Sequence, residues 1–400
     1  MIAAEAQRLQ AVPLSGIRRI FEAARQLERS GIDVIHLELG RPDFDTPGHI
    51  KDAAKLALDR GDVHYTSNYG TQELCQAIAS KFARENGLTY DSAGEIIVTV
   101  GAGEAIFLIM AAYLNPGEEV LVPDPGWLNY ATVPAMMGAR AVPVPLDEDT
   151  GYSLTVEALE RRVTSRTRGI ILNSPHNPTG AGFPRETLEA LAAVVDRHRL
   201  WVVSDEIYEH ITYDGHHHTS FASLPGMRAR TFVVNGVSKA YSMTGWRVGY
   251  VAAPRELIPP ILKVHQYLTT CATSFAQAGA AAALAGPQQC VAVMVAEFRR
   301  RRDELYSRIT AIPNVTCVRP RGAFYVFPDL RSFGLTSEEM ADYLLQEGHI
   351  AVVPGSAFGD AGEGHVRISY CAAHERIVEG ALRMAQALAR LSSQGSVARA

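Results

Sequence analysis

The chain reads as an α/β protein in two parts, a large domain built on a mostly parallel sheet and a smaller α+β domain. Three observations predict this. Its 400 residues exceed what one simple core holds. Between residues 95 and 234, short apolar runs alternate with helical patterns, as in successive βαβ units. In the last hundred residues strands and helices mix without that alternation.

The composition narrows the class. Apolar residues make up 47% and charged residues 20%, ordinary for a globular protein. The net charge of −5 gives no reason to expect nucleic acid or an acidic membrane as partner. No apolar run reaches membrane-spanning length. The first ten residues lack a basic-then-apolar signal, so a cytoplasmic protein is expected. The five cysteines, Cys75, Cys271, Cys290, Cys317 and Cys371, are scattered and form no CxxC, which reads as reduced thiols. His216-His217-His218 lies beside Gly215 between two periodic segments and reads as an exposed turn, so no metal is expected.

Taken in order, residues 1–12 read as an arm, 17–29 as a helix and 34–39 as a short strand. The strand runs into Gly40-Arg41-Pro42-Asp43-Phe44, a turn-rich loop. Helices are expected at 50–59 and 71–86, with Tyr65 in the loop between. A β-rich run at 95–100 meets Gly101-Ala102-Gly103, which opens a helix to about residue 114. Small residues at such a turn let backbone N–H groups and the helix dipole face an anion, although most such turns bind nothing. Strand 120–122 ends before Trp127, which by itself reads as a core aromatic. Strand 169–172 leads to Asn173-Ser174-Pro175-His176-Asn177-Pro178-Thr179-Gly180, a tight loop. Helix 186–198 follows. Strand 200–204 ends in Asp205-Glu206-Ile207-Tyr208, and a carboxylate there needs a partner. Strand 231–234 then reaches Ser238 and Lys239.

Further helices are expected at 255–266 and 288–310. The latter carries Arg299 to Arg302 on a solvated face, flanked by Glu297, Asp303 and Glu304. Strands 315–319, 323–327, 350–353 and 365–369 mix with helices 337–347 and 374–391. Arg367 falls inside a strand, where a buried arginine is costly unless it meets an anion. Residues 392–400 read as a flexible tail.

The chemistry gathers around Val237-Ser238-Lys239-Ala240-Tyr241-Ser242-Met243-Thr244-Gly245-Trp246-Arg247-Val248-Gly249. Apolar surroundings lower a lysine pKa, and a neutral amine attacks carbonyls to form a Schiff base. Ser238 and Arg247 are suited to a phosphate. An aldehyde joined to a phosphate is pyridoxal 5'-phosphate. Gly101, Trp127, Asn177, Asp205 and Lys239 each follow a predicted strand end, where open α/β sheets bind ligands.

SKxxxxxGxRxG after a strand, with Asp-x-x-Tyr upstream, resembles the class I pyridoxal-phosphate-dependent aminotransferases of fold type I, in the aspartate and aromatic aminotransferase branch. The likeness runs from about residue 13 to 391. It implies a seven-stranded sheet in a large domain at 48–287, with a small domain from 13–47 and 288–391. It implies phosphate contacts from Gly101, Ala102, Gly103, Ser238 and Arg247, and from Tyr65 across a homodimer with shared active sites. Lys239 would be the catalytic amine. Asp205 would pair with the ring nitrogen, Asn177 and Tyr208 with the ring oxygen, and Trp127 would cover the ring. Gly40, Trp127, Asn177 and Arg367 would contact the substrate, Arg367 by its α-carboxylate. The activity implied is amino transfer between an L-amino acid and a 2-oxo acid in ping-pong order. A lyase, cyclase or amino-acid oxidase on this scaffold would keep the same cofactor residues. Some aspartate-preferring relatives carry lysine at the Gly103 position, which puts aspartate preference in doubt and brings aromatic or aliphatic donors forward. Leu14 to Ile17 would border the side-chain pocket.

Overall fold

The structure is a computed structural model, and it describes residues 5–10 and 12–397, with side chains described to residue 393. Residues 1–4 and 11 of the expected arm and 398–400 of the expected tail lie outside the described residues. A strand of two residues, β1 (Ile35–His36), precedes the main sheet. That sheet contains β2 (Ile96–Thr99), β3 (Glu119–Asp124), β4 (Arg140–Pro145), β5 (Thr167–Asn173), β6 (Trp201–Asp205), β7 (Thr231–Gly236) and β8 (Gly249–Ala252). Among the described residues these seven strands lie in the order β2-β8-β7-β6-β5-β3-β4. Neighbours from β7 through β4 are parallel, and only β8 runs against its two neighbours, β2 and β7.

Helices cover both faces of this sheet, which is why its central strands read as apolar runs rather than as alternation. On one face Val120, Val122, Ile171, Val203 and Val234 pack with the helices Ala102–Tyr113 and Ile258–Leu268. On the other, Leu121, Ile170, Leu172 and Val202 pack with the helix Arg185–Arg197, and Val98 and Val233 with Ser274–Ala285.

Two sheet strands escaped the reading of the sequence. Strand β4 holds Pro143 and Pro145, and it is an edge strand, where a missing N–H costs little. Strand β8 begins at Gly249 inside the lysine motif, and its pairing with both β2 and β7 is what makes those residues extended.

The smaller part combines β9 (Tyr325–Val326), β10 (Ile350–Ala351), β11 (Val353–Pro354) and β12 (Val366–Ser369). Strands β11, β12 and β9 form an antiparallel sheet, and β1 pairs with β10 in parallel. The helices Gly16–Arg29, Gln289–Thr310, Ser337–Gly348 and His374–Val397 pack around them. Residues 315–319, expected as a strand, contribute only the isolated bridge from Thr316 to Asp329. The last helix continues past residue 391 to Val397, so the expected flexible tail is helical to that point. This core also takes in Ile207, Tyr208 and Ile211 from just beyond β6, so it runs on to the carboxyl edge of the large sheet.

The arginine run corrects a second expectation. Arg301 and Arg302 are buried. Arg301 pairs with Asp43 and Glu297 and lies over Phe44, while Arg302 pairs with Asp214 and Asp303 and lies over Tyr213. The histidine turn is likewise divided, with His217 exposed and the side chain of His218 8% exposed. No single helix among the described residues is long and apolar enough to cross a membrane.

Candidate active site

Strands β2, β5, β6 and β7 end at one cavity of about 360 Å³, between the large sheet and the smaller part. The chain order of the sheet places it there, since parallel strands deliver their C-terminal residues to one edge. Its lining includes Gly40, Ala102, Gly103, Trp127, Asn177, Asp205, Tyr208, Ser238, Lys239, Arg247 and Arg367. Two of the residues expected to contact the phosphate are not part of the lining. Gly101 stands just behind it as the N-cap of the helix Ala102–Tyr113, with φ of 79°. A Cβ there would sit 2.4 Å from an Arg247 nitrogen, so glycine permits both the turn and the approach of the guanidinium. Tyr65 lies outside the lining and is 88% exposed.

At the end beside the helix Ala102–Tyr113, the first turn carries Ala102 and Gly103, and Ser238 and Arg247 stand beside them. Arg247 is exposed and, among the described residues, donates only to the carbonyls of Thr244 and Val100, at 3.1 and 3.4 Å. A helix N-terminus, a hydroxyl and a guanidinium form a ready anion site.

At the floor, Asp205 is buried at the end of β6. It accepts from the Tyr130 hydroxyl at 2.7 Å and the Ile207 N–H at 3.2 Å, and it has no ion pair among the described residues. Burial raises its pKa from 3.8 to about 6, against the opposing pull of those hydrogen bonds. An anion so placed calls for a cation from outside the chain.

Lys239 donates from Nζ to the Gly40 carbonyl at 2.7 Å. Desolvation brings its pKa down from 10.5 to about 8, with the charges of Arg367 and Arg247 adding to the effect. Its amine is therefore available as a nucleophile or base near neutral pH.

Arg367, on β12, is also buried. Its two terminal nitrogens donate to Asn177 Oδ1 at 3.1 Å and to the Glu38 carbonyl. Its Nε makes no hydrogen bond, and no carboxylate among the described residues pairs with it. The guanidinium lies 4.4 Å from the Tyr325 ring centre and 4.9 Å from that of Phe358. A buried fork without an anion fits a ligand carboxylate.

The cavity also holds residues that the sequence reading passed over. Tyr130 holds Asp205, and it lies three residues beyond Trp127 with its ring edge-on to that indole at 5.6 Å. Asn173 accepts the Asn177 N–H through Oδ1 at 3.0 Å and donates to the Asp205 carbonyl at 3.0 Å, tying the two strand ends together. Tyr325 bonds the Tyr208 hydroxyl at 2.9 Å. The signal for Asn173 was its place as the last residue of β5; Tyr130, in the helix Asn129–Met136, and Tyr325 had none, because their partners are distant in sequence. Of Leu14 to Ile17, Ile17 lines the cavity and Leu14 is exposed.

A basic pocket beside a helix end, a desolvated lysine, a buried carboxylate without a cation and a buried guanidinium without an anion define an enzyme fitted to a phosphate-bearing carbonyl cofactor and an amino-acid substrate. Residues 32–382 match the model of the aminotransferase class I and II family. The aspartate aminotransferase of Pyrococcus abyssi is 45% identical over 387 residues, covering 96% of this chain and 98% of its own. The aromatic-amino-acid aminotransferase 2 of Thermococcus litoralis is 43% identical, covering 95% and 97%. The solved aspartate aminotransferase from Thermus thermophilus with maleate superposes with a TM-score of 0.91 at 39% identity, covering 96% of this chain and all of that one. The chain belongs to the class I and II aminotransferases, enzymes that use pyridoxal phosphate, on the fold type I scaffold.

Proposed function

We propose that this aminotransferase acts on L-amino acids with neutral side chains, aromatic or aliphatic, and passes the amino group to a 2-oxo acid in two half-reactions. One observation carries the substrate class. Among the described residues, the cations lining the cavity are Lys239, Arg247 and Arg367. Arg247 belongs to the phosphate end and Arg367 to the α-carboxylate, which leaves no cation from this chain's own lining for a second carboxylate. The side-chain end is bordered by Ile17, Gly103 and Trp127.

Bound pyridoxal phosphate supplies a carbonyl for amines and a ring that draws electrons from the substrate's Cα. Ser238, Arg247 and the first turn of the helix Ala102–Tyr113 gather the phosphate, with Gly101 shaping the turn. Asp205, held by Tyr130, balances positive charge at the ring nitrogen. Asn177 and Tyr208 donate to the ring oxygen, and Trp127 covers one ring face. Arg367 grips the α-carboxylate, with Asn177 and the Gly40 backbone beside it. Lys239 accepts the Cα proton, a task suited to an amine whose pKa lies near 8. Tyr65 reaches the phosphate of a second copy in a homodimer. Five free cysteines agree with a cytoplasmic place.

The test is a donor panel, phenylalanine, tyrosine, leucine and aspartate, each with 2-oxoglutarate as acceptor. Aromatic or aliphatic donors are expected to show the highest kcat/KM, and aspartate as the best donor would overturn the substrate class. A Cβ at Gly103 meets only Trp127 at 3.6 Å and Asn129 at 3.9 Å, so a side chain fits there. Gly103→Lys is expected to raise kcat/KM for aspartate by about 10-fold or more, the worth of one charge-assisted hydrogen bond.

A further inference from the structure

Immediately after Asp205 the chain turns two glutamates away from the cavity into a second polar cluster. Glu206 is 1% exposed. Its Oε1 accepts from Ser204 Oγ at 2.7 Å, Ser220 Oγ at 2.8 Å and the Phe221 N–H at 3.3 Å, whereas Oε2 receives no hydrogen bond. Facing it at 3.2 Å is Nε2 of His218, whose side chain is 8% exposed and whose two ring nitrogens make no hydrogen bond. At that distance an aligned N–H would donate to the carboxylate. The two atoms are close without being aligned for a hydrogen bond, so the hydrogen-bonding capacity of both is unused. A separation of 3.2 Å is also the edge expected between two ligands each about 2.0–2.1 Å from a tetrahedral centre.

Glu209 supplies the third donor, the three ligand atoms lying within 4.8 Å of one another. Its Oε1 is taken by Lys81 and by Asn235 Nδ2 at 2.6 Å. Its Oε2 carries only the Asn86 Nδ2 bond, at 3.0 Å, so a lone pair remains. Of the two buried carboxylates, Glu209 pairs with Lys81 and has His210 Nε2 at 3.5 Å, whereas Glu206 meets no lysine or arginine among the described residues and has only the His218 imidazole; Glu85, less buried, pairs with Arg84 and also faces Lys81. Buried carboxylates in excess of cations are costly unless a further positive charge joins them.

We propose that Glu206, Glu209 and His218 bind a divalent transition cation, and the donor set of one imidazole and two carboxylates selects Zn²⁺. None of the three lines the cofactor cavity. The ion would fasten the segment that carries Asp205 and Tyr208 from behind. Glu85 and His210, each 23% exposed, share Glu209 with the site.

The experiment uses the holoenzyme, stripped with a chelator and then titrated with Zn²⁺ alone by calorimetry, with metal content read by mass spectrometry. One Zn²⁺ per chain is expected, together with a rise in Tm. His218→Asn and Glu206→Gln are each expected to weaken binding by about 10-fold or more. Replacing both His216 and His217 by Asn is expected to leave the affinity unchanged. Should Glu206→Gln fail to fold, His218→Asn, in the loop, carries the test. The proposal is overturned if the stripped holoenzyme takes up no Zn²⁺, if His218→Asn binds as tightly as the natural chain, or if the His216/His217 variant is the one that loses binding.

Discussion

Asp205 and Arg367 are buried charged groups with no ion pair among the described residues, and each predicts its own mutant. The fold raises the Asp205 pKa from 3.8 to about 6, so the folded state disfavours the ionised form. That penalty is absent below pH 3.8, grows between the two values and is complete above about 6, where it amounts to about 3 kcal/mol. Asp205→Asn keeps an acceptor for Tyr130 and removes the charge. The cofactor-free variant is therefore expected to be more stable than the natural chain at pH 7.5, with the gap closing as the pH falls toward 4, as denaturant unfolding would measure. The same variant is expected to lose about 100-fold or more in kcat, because the preorganised charge is gone. Equal stability at both pH values would remove the electrostatic account. Arg367→Lys replaces a planar fork by a point charge. It is expected to raise KM for amino acids by about 30-fold or more, while leaving turnover of a primary amine without a carboxylate unchanged.

Among the elements, a tight fit joins the loop after β1 to strand β9. A Cβ on Gly40 would lie 2.0 Å from the Tyr325 hydroxyl, the same hydroxyl that bonds Tyr208. Gly40→Ala must push Tyr325 off Tyr208, at a cost of about 1–3 kcal/mol, read as a fall in Tm. Tyr325→Phe in the same chain is expected to recover part of the loss, since the ring carbons that remain would still be tight at 3.0 and 3.2 Å. No recovery would place the strain elsewhere. Strands β3, β5, β6 and β7 were legible because burial on both faces makes them apolar runs bounded by turn residues. Their ends were legible with them, and so was the placement of Asn177, Asp205 and Lys239 at those ends, whereas Trp127 by itself read as a core aromatic. Strand β4 was hidden by its prolines, and β8 by glycine and the motif around it.

At the scale of the whole molecule, Tyr65 is the residue that a single chain does not explain. It is exposed, it does not line the cavity, and Tyr267 and Leu268 are exposed as well. The loop that holds it is anchored, with Asn68 donating to the Thr270 carbonyl at 2.7 Å and Ser274 to the Asp62 carbonyl at 2.6 Å. If Tyr65 completes the phosphate site of a second copy, Tyr65→Phe is expected to weaken cofactor affinity by about 10-fold, one charge-assisted hydrogen bond, without changing sedimentation as a dimer. A fully active monomer with normal cofactor affinity would refute the shared site.

Local pattern alone determined the α/β class and the order of the central strands along the chain, and the resemblance carried by the lysine motif added the cofactor residues expected at their ends. Those features depend on side-chain period and on the residues just past each strand end, and both are written within a short stretch of chain. Only the tertiary structure decided that Arg301 and Arg302 are buried on Asp43 and Asp214, that Tyr325 joins Tyr208 to Arg367, and that His218 faces Glu206. Each of these is a contact between residues far apart in sequence or directed by a loop. Its existence depends on how packed elements meet, which no local period encodes.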